Sequence, residues 1–394
     1  MRAPTASLLL PLLLLAASAG GCTGVTPRVD RATAADVPSV QLSPAEQATV
    51  RTNVERAMAA VIRRQFDEAG EAAEAALAID PRAARARAVR ALVIAQRGAV
   101  EDPPNLQAER EAECELVIAG EIAPNDAFVG WVHALFLAEA GHVSAAAEVA
   151  EATLRRTENA PPSERSALLG IAGRYRYELG EERAALPLLQ DYVSLRPDDV
   201  AARFRLGYTL LRLSSNLRDE SVPVLLDARW QSEGAVAAFT RCAEQSPGDD
   251  DVHMAIATAR LRAAEVQQVL GRVARDEADR ATARAAADAH RQQAAAVLRA
   301  VAERFPANAE PVFRLAVLDQ QRNDLVAARA GYERALAIDA RHLGSLLNLA
   351  RLCADAGERE RAATLLREAL ASESETARLT DDEKKRIQDF LRQP

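Results

Sequence analysis

The chain has 394 residues, enough for two or three ordinary domains or for one long array. Hydrophobic residues at 49% and charged residues at 27% supply a core and a solvated surface, while aromatics at only 4% argue against sheets and for packed helices. A net charge of −8 and a pI near 5.4 exclude nucleic acid as the main partner, which would require a basic face.

The first 22 residues, MRAPTASLLLPLLLLAASAGGC, stand apart. Arg2 precedes an apolar run from Ser7 to Ala17, broken by Pro11 and too short to span a bilayer, and small residues follow. That is the pattern of an export signal. Ala19-Gly20-Gly21-Cys22 resembles a bacterial lipobox, with Ala19 at the position where that motif prefers leucine. The resemblance implies that Cys22 is lipidated and becomes the mature N-terminus. Thr23, in place of the aspartate of inner-membrane retention, implies the outer membrane. Ala17-Ser18-Ala19 also suits ordinary signal peptidase, which would release a soluble periplasmic protein. Residues 23–42 carry proline turn signals and no helical period, and they read as a flexible linker.

Folding begins at Ser43-Pro44-Ala45-Glu46. Serine at the N-cap, proline at N1 and glutamate at N3 satisfy the free amides of a helix start. From there the chain reads as helix, short turn, helix, with no period-2 strand. One stretch is written twice: AAEAALAIDP at 72–81 and GYERALAIDA at 331–340. In that register a single helical slot holds Ala69, Ala112, Ala146, Ala185, Ala235, Ala294, Ala328 and Ala362, at spacings of 43, 34, 39, 50, 59, 34 and 34. Twelve residues beyond five of these alanines lie Pro81, Pro124, Pro197, Pro247 and Pro306. Two antiparallel helices approach closely only where one presents a small side chain, and proline just past the second helix ends the unit. The last two units add Leu315-Ala316 and Leu349-Ala350 on the first helix, Asn323 and Gly357 at the turn, and Ala335-Leu336 and Ala369-Leu370 on the second.

These residues resemble the tetratricopeptide repeat, whose period is 34, from about residue 47 to 374. The resemblance implies an all-α fold, a right-handed α-solenoid of about eight helix-turn-helix repeats with insertions, over residues 43–375. Insertions are expected near 98–106, 213–230 and 262–290. The last is alternately apolar and charged without proline and is expected to lengthen both helices of unit six into a protruding hairpin. Pro187 falls inside the second helix of unit four and is expected to kink it. Thr380-Asp381-Asp382-Glu383 reads as a capping box opening a polar helix, so 376–394 is expected to form the solubilising C-terminal cap.

The sequence offers little chemistry. No Walker A, GxGxxG or GxSxG stretch is present, and His133, His142, His253, His290 and His342 begin no HExxH motif. No catalytic residue, metal ligand or cofactor is assigned, and the chain reads as non-enzymatic. Cys114, Cys242 and Cys353 fall in units two, five and eight, too far apart in a solenoid to meet. Eight of the 15 aromatics lie between Phe128 and Tyr208, mostly on first helices, which line the concave face in the family it resembles. Trp131, Tyr175, Tyr177, Arg203, Phe204 and Tyr208 are therefore the candidate partner-binding residues, of the types that dominate hot spots. Their alternative role is to fill layers between helices. Val222, Val224, Leu225, Leu226 and Trp230 form a second candidate, an apolar run read as a loop that folds over the groove or awaits a partner.

The expectation is a scaffold at the bacterial cell envelope that holds a protein partner in its groove and touches the membrane through its N-terminal lipid. Resemblance to exported tetratricopeptide lipoproteins points to secretin, pilus or outer-membrane protein assembly. The rival readings are a small-ligand or glycan-binding periplasmic receptor and a soluble periplasmic adaptor without lipid. Radiolabelled palmitate should label the wild-type protein and not the Cys22→Ala variant; label that survives the substitution removes the lipid anchor.

Overall fold

The computed structural model describes residues 33–101, 103, 105–372 and 379–392; the signal segment, Cys22 and the first part of the linker lie outside them. The described residues fold into seventeen α-helices, one 3-10 turn and no strand.

The helices pair as hairpins in chain order. The first four are α1 (Pro44–Ile62) with α2 (Phe66–Leu77), α3 (Ala84–Ala99) with α4 (Leu106–Ile122), α5 (Ala127–Glu139) with α6 (Val143–Arg156), and α7 (Pro162–Glu178) with α8 (Glu182–Leu195). The next four are α9 (Val200–Leu213) with α10 (Val222–Gln245), α11 (Asp250–Val273) with α12 (Glu277–Arg304), α13 (Ala309–Gln321) with α14 (Leu325–Ile338), and α15 (Leu343–Asp355) with α16 (Arg359–Ala371). Helix α17 (Asp381–Arg392) closes the array. Each helix packs on the one before and the one after it, as an α-solenoid requires.

All eight alanines of the repeated slot sit on second helices, and every one has 0% of its surface exposed. Glycines do the same work elsewhere. A β-carbon on Gly331 would stand 2.6 Å from that of Ala316, which is how closely α13 and α14 cross. Tight turns join the pairs: Gly141, Gly180 and Gly357 adopt positive φ there, as do Asn323 and Arg64.

Successive first helices also touch, α1 to α3, α3 to α5, α5 to α7, α7 to α9 and α9 to α11, whereas successive second helices make no contact of like extent. The array therefore bends with its first helices inward. From α11 to α13 and from α13 to α15 the inner backbones approach less closely, and the helices meet through side chains such as Arg314 with Thr258 and Phe313 with His342.

Three loop features hold the hairpins in register. In three of the loops that follow second helices, the side chain six residues beyond the proline turns back to the proline carbonyl. Arg87 Nε donates to Pro81 O at 2.7 Å, Arg203 Nη2 donates to Pro197 O, and His253 Nε2 lies 3.1 Å from Pro247 O. At the N-terminus the Ser43 amide donates to Glu46 Oε2 at 2.8 Å, completing the capping box. At the C-terminus Thr380 and Glu383 form another, and the Arg359 guanidinium lies 4.7 Å from the Phe390 ring centre.

Residues 33–42 depart from the free linker expected of them. Ala34–Asp36 forms a 3-10 turn; the Ala34 amide donates to Glu121 Oε2 at 2.7 Å, and Arg82 Nη1 donates to the carbonyls of Ala34 at 2.8 Å and Val37 at 3.1 Å. Val37 is buried. The segment is laid across the ends of hairpins one and two because one guanidinium gathers the carbonyls of Ala34 and Val37, the first of which also accepts from the Val37 amide.

Replacing a slot alanine with leucine should overpack a helix crossing and cost about 1–3 kcal/mol. Urea denaturation of Ala328→Leu should show that loss, with Val326→Leu, at an exposed position on the same helix, unchanged. Equal midpoints for the two variants would remove the crossing as the source of stability.

Candidate functional site

The candidate site lies where the backbones of the inner helices approach less closely. A groove of about 690 Å³ runs between α11 and α13, reaching α12 and α15. Leu261, Phe313, Val317 and Leu318 give it an apolar lining, and Glu265, Gln268, Arg291 and Gln321 stand at its edges. It exists because the 262–290 stretch carries α11 on to Val273 and begins α12 at Glu277, so one wall overtops the neighbouring hairpin.

The groove floor is a charged lattice. Arg314 Nε donates to Glu310 Oε1 at 2.6 Å, and Arg314 Nη1 reaches across to Thr258 Oγ1 on α11. Glu310 Oε2 lies 3.1 Å from His342 Nε2, while His342 Nδ1 caps α15 through Ser345. The Phe313 ring lies 4.8 Å from the imidazole of His342. The His342 hydrogen bond, assisted by Arg314, holds the Glu310 carboxyl down to about 2 against the pull of burial. The lattice ties hairpins six, seven and eight together and leaves Glu310 committed as a structural anion.

The residues singled out in the sequence do not gather here. Trp131 packs partly buried between the cluster of hairpins one to three and that of hairpins three and four, its ring 5.4 Å from Phe128. Phe204 and Tyr208 meet Phe239 edge-on at 5.4 and 5.1 Å, in the space left by Gly207, whose β-carbon would stand 2.6 Å from the Phe239 ring. Burial raises the Tyr208 hydroxyl above its ordinary range. These three fill a layer between hairpins five and six.

Arg203 is buried and donates to Pro197 O and Gln245 Oε1, so its guanidinium is occupied within the fold. Tyr175 and Tyr177 are half-buried on α7 under Arg174 at 5.2 Å and Arg212 at 5.0 Å.

The apolar run around Trp230 is helical, which corrects its reading as a loop. A serine at 221, Pro223 in the first turn and unbroken spacing beyond it start α10 at Val222. Leu225 faces the core with 0% exposure, whereas Val222, Leu226 and Trp230, each four residues apart, stand 50%, 41% and 55% exposed on the opposite stripe. They cover no groove. Cys242 and Cys353 are buried and Cys114 is exposed; all three are free thiols, and burial pushes Cys242 up to about 11.

What sequence reasoning missed was the groove of hairpins six to eight. Its signal was the position of the 262–290 insertion, immediately after Leu261 on a first helix.

No protein-family model matches the chain, and no curated protein matches it in sequence. Solved structures with similar folds include a tetratricopeptide protein, YrrB, described as having an unusual peptide-binding site, at 15% identity and TM-score 0.40 over 59% of this chain and 95% of that one. PilF of Pseudomonas aeruginosa is similar at 15% identity and TM-score 0.41 over 61% of this chain and 99% of its own. A tetratricopeptide protein from Parabacteroides merdae covers 87% of this chain and 98% of its own at 13% identity and TM-score 0.36. The buried alanine slot, the hairpin order and the tight turns make the described residues an α-solenoid of helix-turn-helix repeats, similar in fold to these tetratricopeptide proteins.

Glu310→Gln should lower stability at neutral pH by on the order of 1 kcal/mol, a figure reduced for screening at its exposed edge. The folded-state pKa lies below the unfolded one, so the contribution is full above pH 4.5 and is lost as pH falls toward about 2. Urea midpoints of variant and wild type should converge across that window; a gap that stays constant into acid would free Glu310 of this role.

Proposed function

We propose that the chain is a non-enzymatic protein-binding scaffold that holds a partner segment against the inner face of its solenoid. The observation that carries the reading is the groove between α11 and α13, part apolar and part polar in its lining, walled by an insertion and open along one side. A run of side chains several residues long fits such a trough. Its floor charges are already paired with one another, so a partner would meet apolar side chains interleaved with polar ones, the make-up of a recognition site.

The setting proposed is the bacterial cell envelope. The export-type N-terminus and the lipobox-like Ala19-Gly20-Gly21-Cys22 support a lipoprotein facing the periplasm, where assembly of a secretin, a pilus or outer-membrane proteins would employ such a scaffold. Between this and a glycan or small-ligand receptor, the geometry favours the scaffold: Tyr208 is spent on Phe239 and Trp230 stands on an outer stripe, so the two do not enclose a ligand together.

A photocrosslinking amino acid placed at Val317 in the groove should give protein adducts in cells that express the chain. The same residue at Val326, on the exposed face of a second helix, should give none. No adduct at Val317, or equal adducts at both positions, would end the scaffold reading.

A further inference from the structure

The groove does not stop at its apolar lining. Past Gln268, Arg291 and Gln321 it continues into a second lobe of about 690 Å³, between the free end of hairpin six and the turn of hairpin seven. The walls of that lobe carry Arg272, Arg280, Arg284, Arg291 and Arg322 against the single carboxylate of Asp288. In a chain where acidic residues outnumber basic ones by 57 to 49, such a lobe runs against the overall charge.

The arginines are arranged in a line. Arg280, Arg284 and Arg291, with Ala287 between them, share one face of α12 over about 16 Å at 1.5 Å per residue. A single small anion would need them converged on one point; a string of carboxylates needs them spread. Two of the five are held loosely. Arg272 pairs with Glu220 at 3.1 Å and Arg284 with Glu277 at 3.6 Å, through side chains between 51% and 72% exposed. Exposed pairs of this kind contribute about 0–1 kcal/mol, so a partner's carboxylates can replace them at little cost. Arg280 differs, because its Nε and Nη2 donate to the carbonyls of Ala274 and Arg275 and fasten the tip of the hairpin.

We infer that this two-lobed cleft takes an acidic polypeptide segment, with apolar side chains seated on Leu261, Phe313 and Val317 and carboxylates ranged along α12. The inference rests on the scaffold reading and adds to it the chemistry of the partner. The apolar lobe has no counterpart in a sulfated glycan or a nucleic acid backbone, which would use the arginines alone.

Fluorescence anisotropy with the detergent-solubilised full-length protein tests it. The probe is a labelled synthetic peptide in which a leucine-rich block precedes a glutamate-rich block. It should bind at low ionic strength, and Arg272→Glu combined with Arg284→Glu should weaken binding about tenfold or more, while Arg196→Glu on a distant exposed loop should not. The variants should keep the wild-type circular dichroism melt. Unchanged affinity in the double variant, equal binding of a lysine-for-glutamate peptide, or equal binding of heparin and of a serine-for-leucine peptide would each overturn the inference. The crosslink at Val317 separates the two readings. Adducts that persist undiminished in the double variant leave the scaffold standing and remove the acidic segment. Absence of adducts in the wild type removes the scaffold itself.

Discussion

Everything in this array depends on how closely the two helices of a hairpin can approach. At axis separations of about 8–10 Å there is room for a β-carbon and little more. Ala69, Ala112, Ala146, Ala185, Ala235, Ala294, Ala328 and Ala362 meet that limit, each with no surface left exposed. Because the crossing point is fixed by a small residue, the larger side chains around it have defined places. Leu116, Leu189, Phe239, Leu298, Tyr332 and Leu365 fall beside the slots and fill the layers between one hairpin and the next.

The same constraint governs what the insertions can do. Hairpins five and six keep Ala235 and Ala294 in place although α10, α11 and α12 grow to 24, 24 and 28 residues. The added length is forced out at the turn end, where no neighbour has to be met. There the two extensions touch, Glu220 before α10 reaching Arg272 near the end of α11. Hairpin six is thereby raised into a wall. Beside it the first-helix backbones approach less closely, and the groove lies between them.

The fold could be read from the chain because a rule about size leaves a periodic trace: alanine at a fixed slot, proline twelve residues on, a residue suited to positive φ at the turn. Asn323 and Gly357 were recognisable on that basis, and both adopt it. The site could not be read the same way. Whether an aromatic on a first helix faces a groove or a neighbouring layer depends on local curvature, which residue type does not encode. Phe204 and Tyr208 were plausible hot spots by type, yet Gly207 between them admits the buried Phe239 ring, and both pack partly buried against it. Arg203 has a signal that was present and unread, its spacing of six from Pro197, shared by Arg87 with Pro81 and His253 with Pro247. In those three loops the residue at that spacing closes the loop, whereas Gly130 and Val312, six beyond Pro124 and Pro306, have no polar side chain to do so. The apolar run at Val222 was misplaced as loop because Pro223, which looks like a breaker, is a helix starter in the first turn.

The short turn at Ala34–Asp36, held by Arg82 and Glu121, sets the length of a leash. Chain can be paid out at no more than about 3.3–3.6 Å per residue. Were Cys22 to carry the lipid proposed for it, the chain between Cys22 and Thr33 could keep hairpins one and two no further than roughly 40 Å from that lipid. The groove, five hairpins further along, would then be carried at the far end of a boom whose base alone is tied.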